Sequence, residues 1–150
     1  MRHAVVVTVV TIATCAAGVT AGQPSAARET SAWDGVYSEA QARRGEALYP
    51  SVCGTCHGHK LNGAPDDPDM ISTPPIAGPK FLRDWDGRSL GTLYAYTRAT
   101  MPSNNPGFLT DGEYADLLAY MLFVSGTPAG ERELSFDPGR LTGIVIRQQR

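Results

Sequence analysis

The clearest apolar pattern in the chain runs through Tyr114, Leu117, Leu118, Met121 and Leu122, at the i, i+3, i+4, i+7, i+8 spacing that buries one face of a helix. Thr110-Asp111-Gly112-Glu113 just before it is a capping box, in which the Thr110 hydroxyl and the Glu113 carboxylate each satisfy a free backbone N–H. Gly126, Pro128 and Gly130 stop the pattern. A shorter stripe, Leu90, Leu93, Tyr94 and Thr97, predicts a helix capped by Ser89 and running to about Arg98. Upstream, Ser38 and Gln41 form a second capping pattern, and Ala42, Ala47, Leu48 and Tyr49 continue it as far as Pro50, whose ring and missing N–H end or kink a helix. The stretch from Gly58 to Pro79 is dense in proline and glycine and reads as an irregular loop. After Gly126 helical period fades, and Ile144 and Ile146 suggest an extended segment packed on the body. The sum is an all-α domain.

Composition narrows this little: 150 residues with 42% apolar and 19% charged content are enough for one core, and a net charge of -2 gives no reason to expect nucleic acid. The first residues change the picture more. Arg2 and His3, an apolar run from Ala4 to Ala17 and the small residues Val19-Thr20-Ala21 read as an export signal over residues 1–21, which implies a periplasmic protein. An uncleaved anchor is the alternative, since Ala4 to Gly22 is uncharged and close to the length that spans a bilayer. Lipidation at Cys15 ranks below both, because Thr14 is bulky for that signal. The expected organisation is a signal over 1–21, a flexible leader over 22–35, a domain over 36–126 and a C-terminal extension over 127–150 packed upon it.

Cleavage would remove Cys15 and leave Cys53 and Cys56, which stand in Cys53-Gly54-Thr55-Cys56-His57. C-x-x-C-H is the pattern of covalent haem attachment: the two thiols add across the haem vinyl groups, and the adjacent imidazole ligates the iron. A thioredoxin-like redox pair needs a strand before the motif, where a helix is expected, and needs no histidine. A zinc site made of Cys53, Cys56, His57 and His59 would crowd four ligands into seven residues, whereas structural zinc usually joins distant pairs. Haem c, one per chain, is the expected cofactor, and His59 is expected to be a solvent-exposed histidine.

An iron held by His57 needs a sixth ligand or an open position. Met101 lies in the turn-rich run Ala99 to Gly107, stiffened by Pro102 and far enough from His57 in sequence to reach the other face. Met70, in the loop, is second. Met121 belongs to the core stripe, and Met1 would leave with the signal. Pro79, Phe81 and Trp85 supply apolar and aromatic groups for a haem pocket, and the Trp85 indole N–H needs a partner if buried. Gly45, inside the first helix, costs about 1 kcal/mol against alanine; it marks either a close approach of another helix or a tolerated surface position.

With these residues in view, the sequence resembles the class I, mitochondrial-type cytochrome c family, and more narrowly the small exported bacterial cytochromes c that accompany quinoprotein dehydrogenases. The resemblance covers about Val36 to Gly126. It implies three to five helices around one covalently attached haem, a first helix whose Gly45 and Tyr49 cross a last helix at Tyr120, an axial methionine in Thr100-Met101-Pro102, and a pocket carrying Gly78 to Phe81 and Trp85, with Trp85 near a haem propionate. Pro50 and the Pro/Asp-rich loop after His57 depart from the family's commonest pattern.

The expected function is single-electron transfer in the periplasm, from a dehydrogenase toward a terminal oxidase or another cytochrome, with redox proteins as partners and no catalysis by the chain itself. A haem enzyme or sensor with a labile sixth ligand, such as a peroxidase, is the alternative, and a zinc-binding module stands third.

Overall fold

The computed structural model describes residues 29–63, 65 and 73–148. The expected signal, the first part of the expected leader, the lipidation candidate Cys15 and the methionine Met70 lie outside them. Among the described residues the protein is helical with one minimal sheet: β1 (Thr30–Ser31), α1 (Glu39–Tyr49), a π-helical turn (Pro50–Gly54), α2 (Thr55–His57), α3 (Gly78–Asp84), α4 (Leu90–Thr100), α5 (Asp111–Val124), α6 (Pro138–Thr142) and β2 (Ile144–Val145). No helix among them is long and apolar enough to cross a membrane.

Helix starts fall where the side-chain caps predict. Ser38 accepts from the Gln41 N–H, Ser89 from the Thr92 N–H, and Thr110 and Glu113 complete their reciprocal capping box. The body is the crossing of α1 with α5, both of which bury one face in a common core that includes Ala42, Tyr49, Tyr114, Leu117, Leu118 and Leu122. At the crossing a Cβ added to Gly45 would lie 2.0 Å from the Asp116 carbonyl oxygen and 2.9 Å from the Tyr120 Cβ. Gly45 is therefore a close approach, and one turn on, Tyr49 meets Tyr120 edge to face at 5.6 Å. Arg44 closes the same crossing from outside, with a two-pronged bond to Asp116 and a second pair to Glu133.

The regular α-helix stops at Tyr49, directly before Pro50, but the chain does not leave the helical path there. The Pro50 φ of -58° is helical, and the chain continues through a wide turn into α2. Proline has no N–H to give and its ring presses on the carbonyl four residues back, so opening the turn relieves that crowding while the helix goes on.

The loose leader expected over residues 22–35 is corrected for its last part. Thr30 and Ser31 pair in parallel with Ile144 and Val145, Ala32 is fully buried, and the Trp33 indole N–H donates to the Arg147 carbonyl at 2.7 Å. The tail residues Leu134, Leu141 and Ile146 are core residues as well. Gln41 fastens the tail from α1: its amide donates to the Leu134 carbonyl at 3.0 Å and accepts from the Leu134 N–H at 2.6 Å. Gly130 lies against Gly35 so closely that a Cβ would meet the Gly35 oxygen at 2.0 Å. The tail also contains α6, which its weak period did not predict; Asp137 caps it and Pro138 opens it.

Candidate haem site

The attachment motif rides on the end of the first helical run, with Cys53 in the wide turn and Cys56 and His57 in α2. Gly58, at φ +75°, turns the chain out of the helix. Tyr49 supports that exit from below, its buried hydroxyl donating to the Gly58 carbonyl at 2.7 Å. Burial pushes the Tyr49 phenol up.

The loop then doubles back beside the motif. The Gly63 N–H donates to the His57 carbonyl at 3.0 Å, the Ile76 N–H to the Leu61 carbonyl at 2.9 Å, and the Thr73 hydroxyl to the Cys56 carbonyl at 2.6 Å. Leu61 takes the left-handed conformation, φ +58°, with its side chain fully in the core. This return places the Pro74 carbonyl 3.0 Å from His57 Nδ1. A carbonyl only accepts, so Nδ1 carries a proton, and in the neutral ring Nε2 is the nitrogen that presents a lone pair. His57 is thus a nearly buried imidazole of fixed tautomer, the state in which a histidine binds a metal. Sequence reasoning missed Pro74 and Thr73, whose roles depend on how the loop folds back.

Cys53 is half-buried and Cys56 exposed. Burial, with the Cys56 thiol beside it, pushes the Cys53 thiol up to about 11. Among the described residues no three His, Cys, Asp or Glu side chains gather as a metal-binding group, and His59 is exposed.

Phe81 is buried in α3, Trp85 caps the C-terminus of that helix and is half-buried, and their rings lie 6.4 Å apart. Arg88 stacks over the Trp85 ring at 5.1 Å and Tyr96 packs against it at 6.0 Å. The Trp85 N–H makes no hydrogen bond to the described residues, unlike that of Trp33. Pro79 opens α3 and is exposed.

Met101 ends α4 and is half-buried. Its N–H donates to the Thr97 carbonyl at 2.8 Å, and its carbonyl accepts from the Tyr114 hydroxyl at 2.8 Å. Tyr114 was legible as a core residue of α5, but nothing in its spacing announced this bond.

The donor set fits haem c: two cysteines one helical turn apart and, beside them, a nearly buried histidine whose Nδ1 is engaged by a backbone carbonyl. A turn of this kind on a small helical body defines a c-type cytochrome domain, and such a domain is an electron-transfer haem protein. The chain belongs to the family described as cytochrome c oxidase, cbb3-type, subunit III, whose model matches residues 40–121. Membership implies haem c as the cofactor.

A relative, the thiosulfate dehydrogenase of Psychrobacter arcticus, is 30% identical over 83 residues, which are 55% of this chain and 25% of that protein. The chain thus spans about a quarter of the length of the curated relative it matches. Among solved structures, the sulfane dehydrogenase SoxCD from Paracoccus pantotrophus aligns with a TM-score of 0.48 at 22% identity, over 86% of this chain and 68% of the other.

Proposed function

We propose that the chain is a periplasmic monohaem electron carrier, in which Cys53 and Cys56 hold haem c through two thioethers and His57 and Met101 are the axial ligands of the iron. Single electrons pass from a dehydrogenase toward a terminal oxidase or another cytochrome. The observation that carries this reading is the hydrogen bond between His57 Nδ1 and the Pro74 carbonyl, which fixes the ring in its ligating tautomer beside the two cysteines.

Reversible one-electron exchange at the iron is the chemistry that haem supplies when bound. The polypeptide does the rest. Cys53 and Cys56 fix the group to the helix end, and Pro74 orients His57. Phe81 and Pro79 contribute apolar wall, and Trp85 offers its N–H to a propionate. Methionine and histidine ligation by Met101 and His57 would raise the reduction potential of a bound haem. Were His57 and Met101 both to hold the iron, no position would remain for a substrate, and the chain would act as an electron carrier on small, weak redox interfaces. The likeness to part of a thiosulfate dehydrogenase supports a place beside a dehydrogenase, either as a free carrier or as the cytochrome subunit of an oxidoreductase complex.

The test is optical. Oxidised wild-type protein is expected to show the weak near-infrared band of methionine bound to ferric iron, and Met101→Ala to lose it while keeping the Soret band. An unchanged band in that variant refutes the ligand assignment. Rapid carbon monoxide binding by the reduced wild type would instead support a haem enzyme or sensor.

A further inference from the structure

Tyr114 lies at the first turn of α5, fully buried, with a single polar atom. That atom makes two bonds, both to the segment carrying Met101. It donates to the Met101 carbonyl at 2.8 Å and accepts the Gly107 N–H at 3.0 Å. These two residues bound the Met101–Gly107 stretch of the loop that follows α4, a loop that runs on to Thr110 before α5 begins. Between them Ser103, Asn104, Asn105 and Pro106 are all exposed, and the Asn105 N–H donates to the Pro102 carbonyl at 2.9 Å within the loop. The Tyr114 ring is held in turn by the edge of Tyr94 at 6.3 Å. Position and rotation of the Tyr114 hydroxyl are therefore set by the core, while its two partners belong to an exposed segment with little packing of its own.

We propose that Tyr114 is a positioning residue for the sixth iron ligand: one core hydroxyl clasps the Met101–Gly107 stretch at both ends and so fixes where the Met101 thioether stands and how readily it yields to an external ligand. This rests on the axial role given to Met101 above. The bond is to the backbone of Met101, so it leaves the sulfur lone pairs for the metal. Loss of the hydroxyl alone frees a carbonyl and an N–H at the ends of that stretch, where water can reach them, and two net hydrogen bonds of this kind correspond to a change on the order of tenfold in the opening equilibrium of the loop.

Tyr114→Phe in the holoprotein tests it, since it removes one oxygen and keeps the ring. Two readouts apply. Amide exchange at Gly107 is expected to quicken on the order of tenfold relative to the core amide of Leu118, a measurement that does not depend on the iron. Imidazole titrated into the oxidised protein is expected to displace the methionine band at a concentration lower by a similar factor. Tyr94→Phe, whose hydroxyl faces the Asp111 carbonyl at 3.5 Å and not the loop, is the control expected to leave imidazole affinity unchanged. If the wild type shows the methionine band while Tyr114→Phe changes neither Gly107 exchange nor imidazole affinity, the clasp is refuted and the ligand reading stands. If Met101→Ala keeps the band, the ligand reading fails, and the positioning role of Tyr114 fails with it.

Discussion

Replacing Gly45 by alanine inverts the usual effect of that substitution. In an open helix position the change gains about 1 kcal/mol, because alanine gives up less backbone freedom. Here the new methyl carbon would sit 2.0 Å from the Asp116 carbonyl oxygen and 2.6 Å from its carbon, both backbone atoms of α5 that no rotamer change can move. Restoring ordinary contact needs α1 and α5 to part by about 1.4 Å at the crossing, which loosens the Tyr49–Tyr120 contact and the residues around it. Overpacking of this kind costs about 3 kcal/mol or more at the rigid end of its range. After the propensity gain, a net loss of about 2 kcal/mol remains, a fall in Tm of roughly 8 °C for a domain of this size. Thermal unfolding of the oxidised holoprotein, followed by far-ultraviolet circular dichroism, measures it. Gly112→Ala is the matched comparison, since a Cβ there meets nothing within 4 Å, and its Tm should hold or rise. A Gly45→Ala protein with a Tm equal to or above wild type would refute the close crossing of α1 and α5.

Two further outcomes follow from buried polar groups. Gln41→Ala strands the N–H and carbonyl of buried Leu134 and should cost about 2–4 kcal/mol in urea unfolding, with the loss appearing first as faster amide exchange in the tail; exchange confined to the wild-type pattern would show that Gln41 does not fasten it. Burial raises the Tyr94 phenol to about 12, with the Asp111 bond adding to the shift, and burial raises Tyr49 as well. The unfolded chain ionises these phenols near 10 while the folded chain keeps them neutral, so their contribution to stability is complete below pH 10 and drains away as pH rises toward 12; a flat urea midpoint from pH 9 to 11.5 would contradict this.

How much the sequence disclosed varied with the reach of each interaction. The three capped helices were legible because cap and stripe are local: Ser38, Ser89 and Thr110 each bond a residue three positions on. The C-x-x-C-H run was legible for the same reason. What escaped was non-local. A two-residue strand at Thr30–Ser31 is too short to alternate, and its partner Ile144–Val145 lies more than a hundred residues away. Pro74 became the partner of His57 only through the return of the loop, and Tyr114 looked like any apolar stripe residue until its hydroxyl met Met101. Gly45 stood between: its cost in a helix was readable, but only the crossing with Asp116 shows why alanine is excluded. The short α6 had a readable cap in Asp137 and Pro138 but too few residues for a period.

The wide turn at Pro50–Gly54 sets the phase of all that follows it. A regular helix advances about 100° per residue, and a π turn takes in one residue more than an α turn for the same circuit. Phase along α1 is fixed by Gln41, Ala42, Gly45 and Tyr49, which must face the core. The extra residue therefore acts as an offset of about 100° between the residue count from that face and the heading of the Cys53–His57 segment. One residue deleted between Pro50 and Val52 would turn the wide turn into an ordinary α turn of the same circuit and leave both cysteines and the histidine on their present heading. One residue deleted from α1 between Gly45 and Pro50, with no wide turn to absorb it, would instead preserve the motif letter for letter and rotate them by about 100°. Sequence identity of the five-residue motif is thus not enough to conserve this site; the count of α1 residues between Gly45 and Pro50 matters as much.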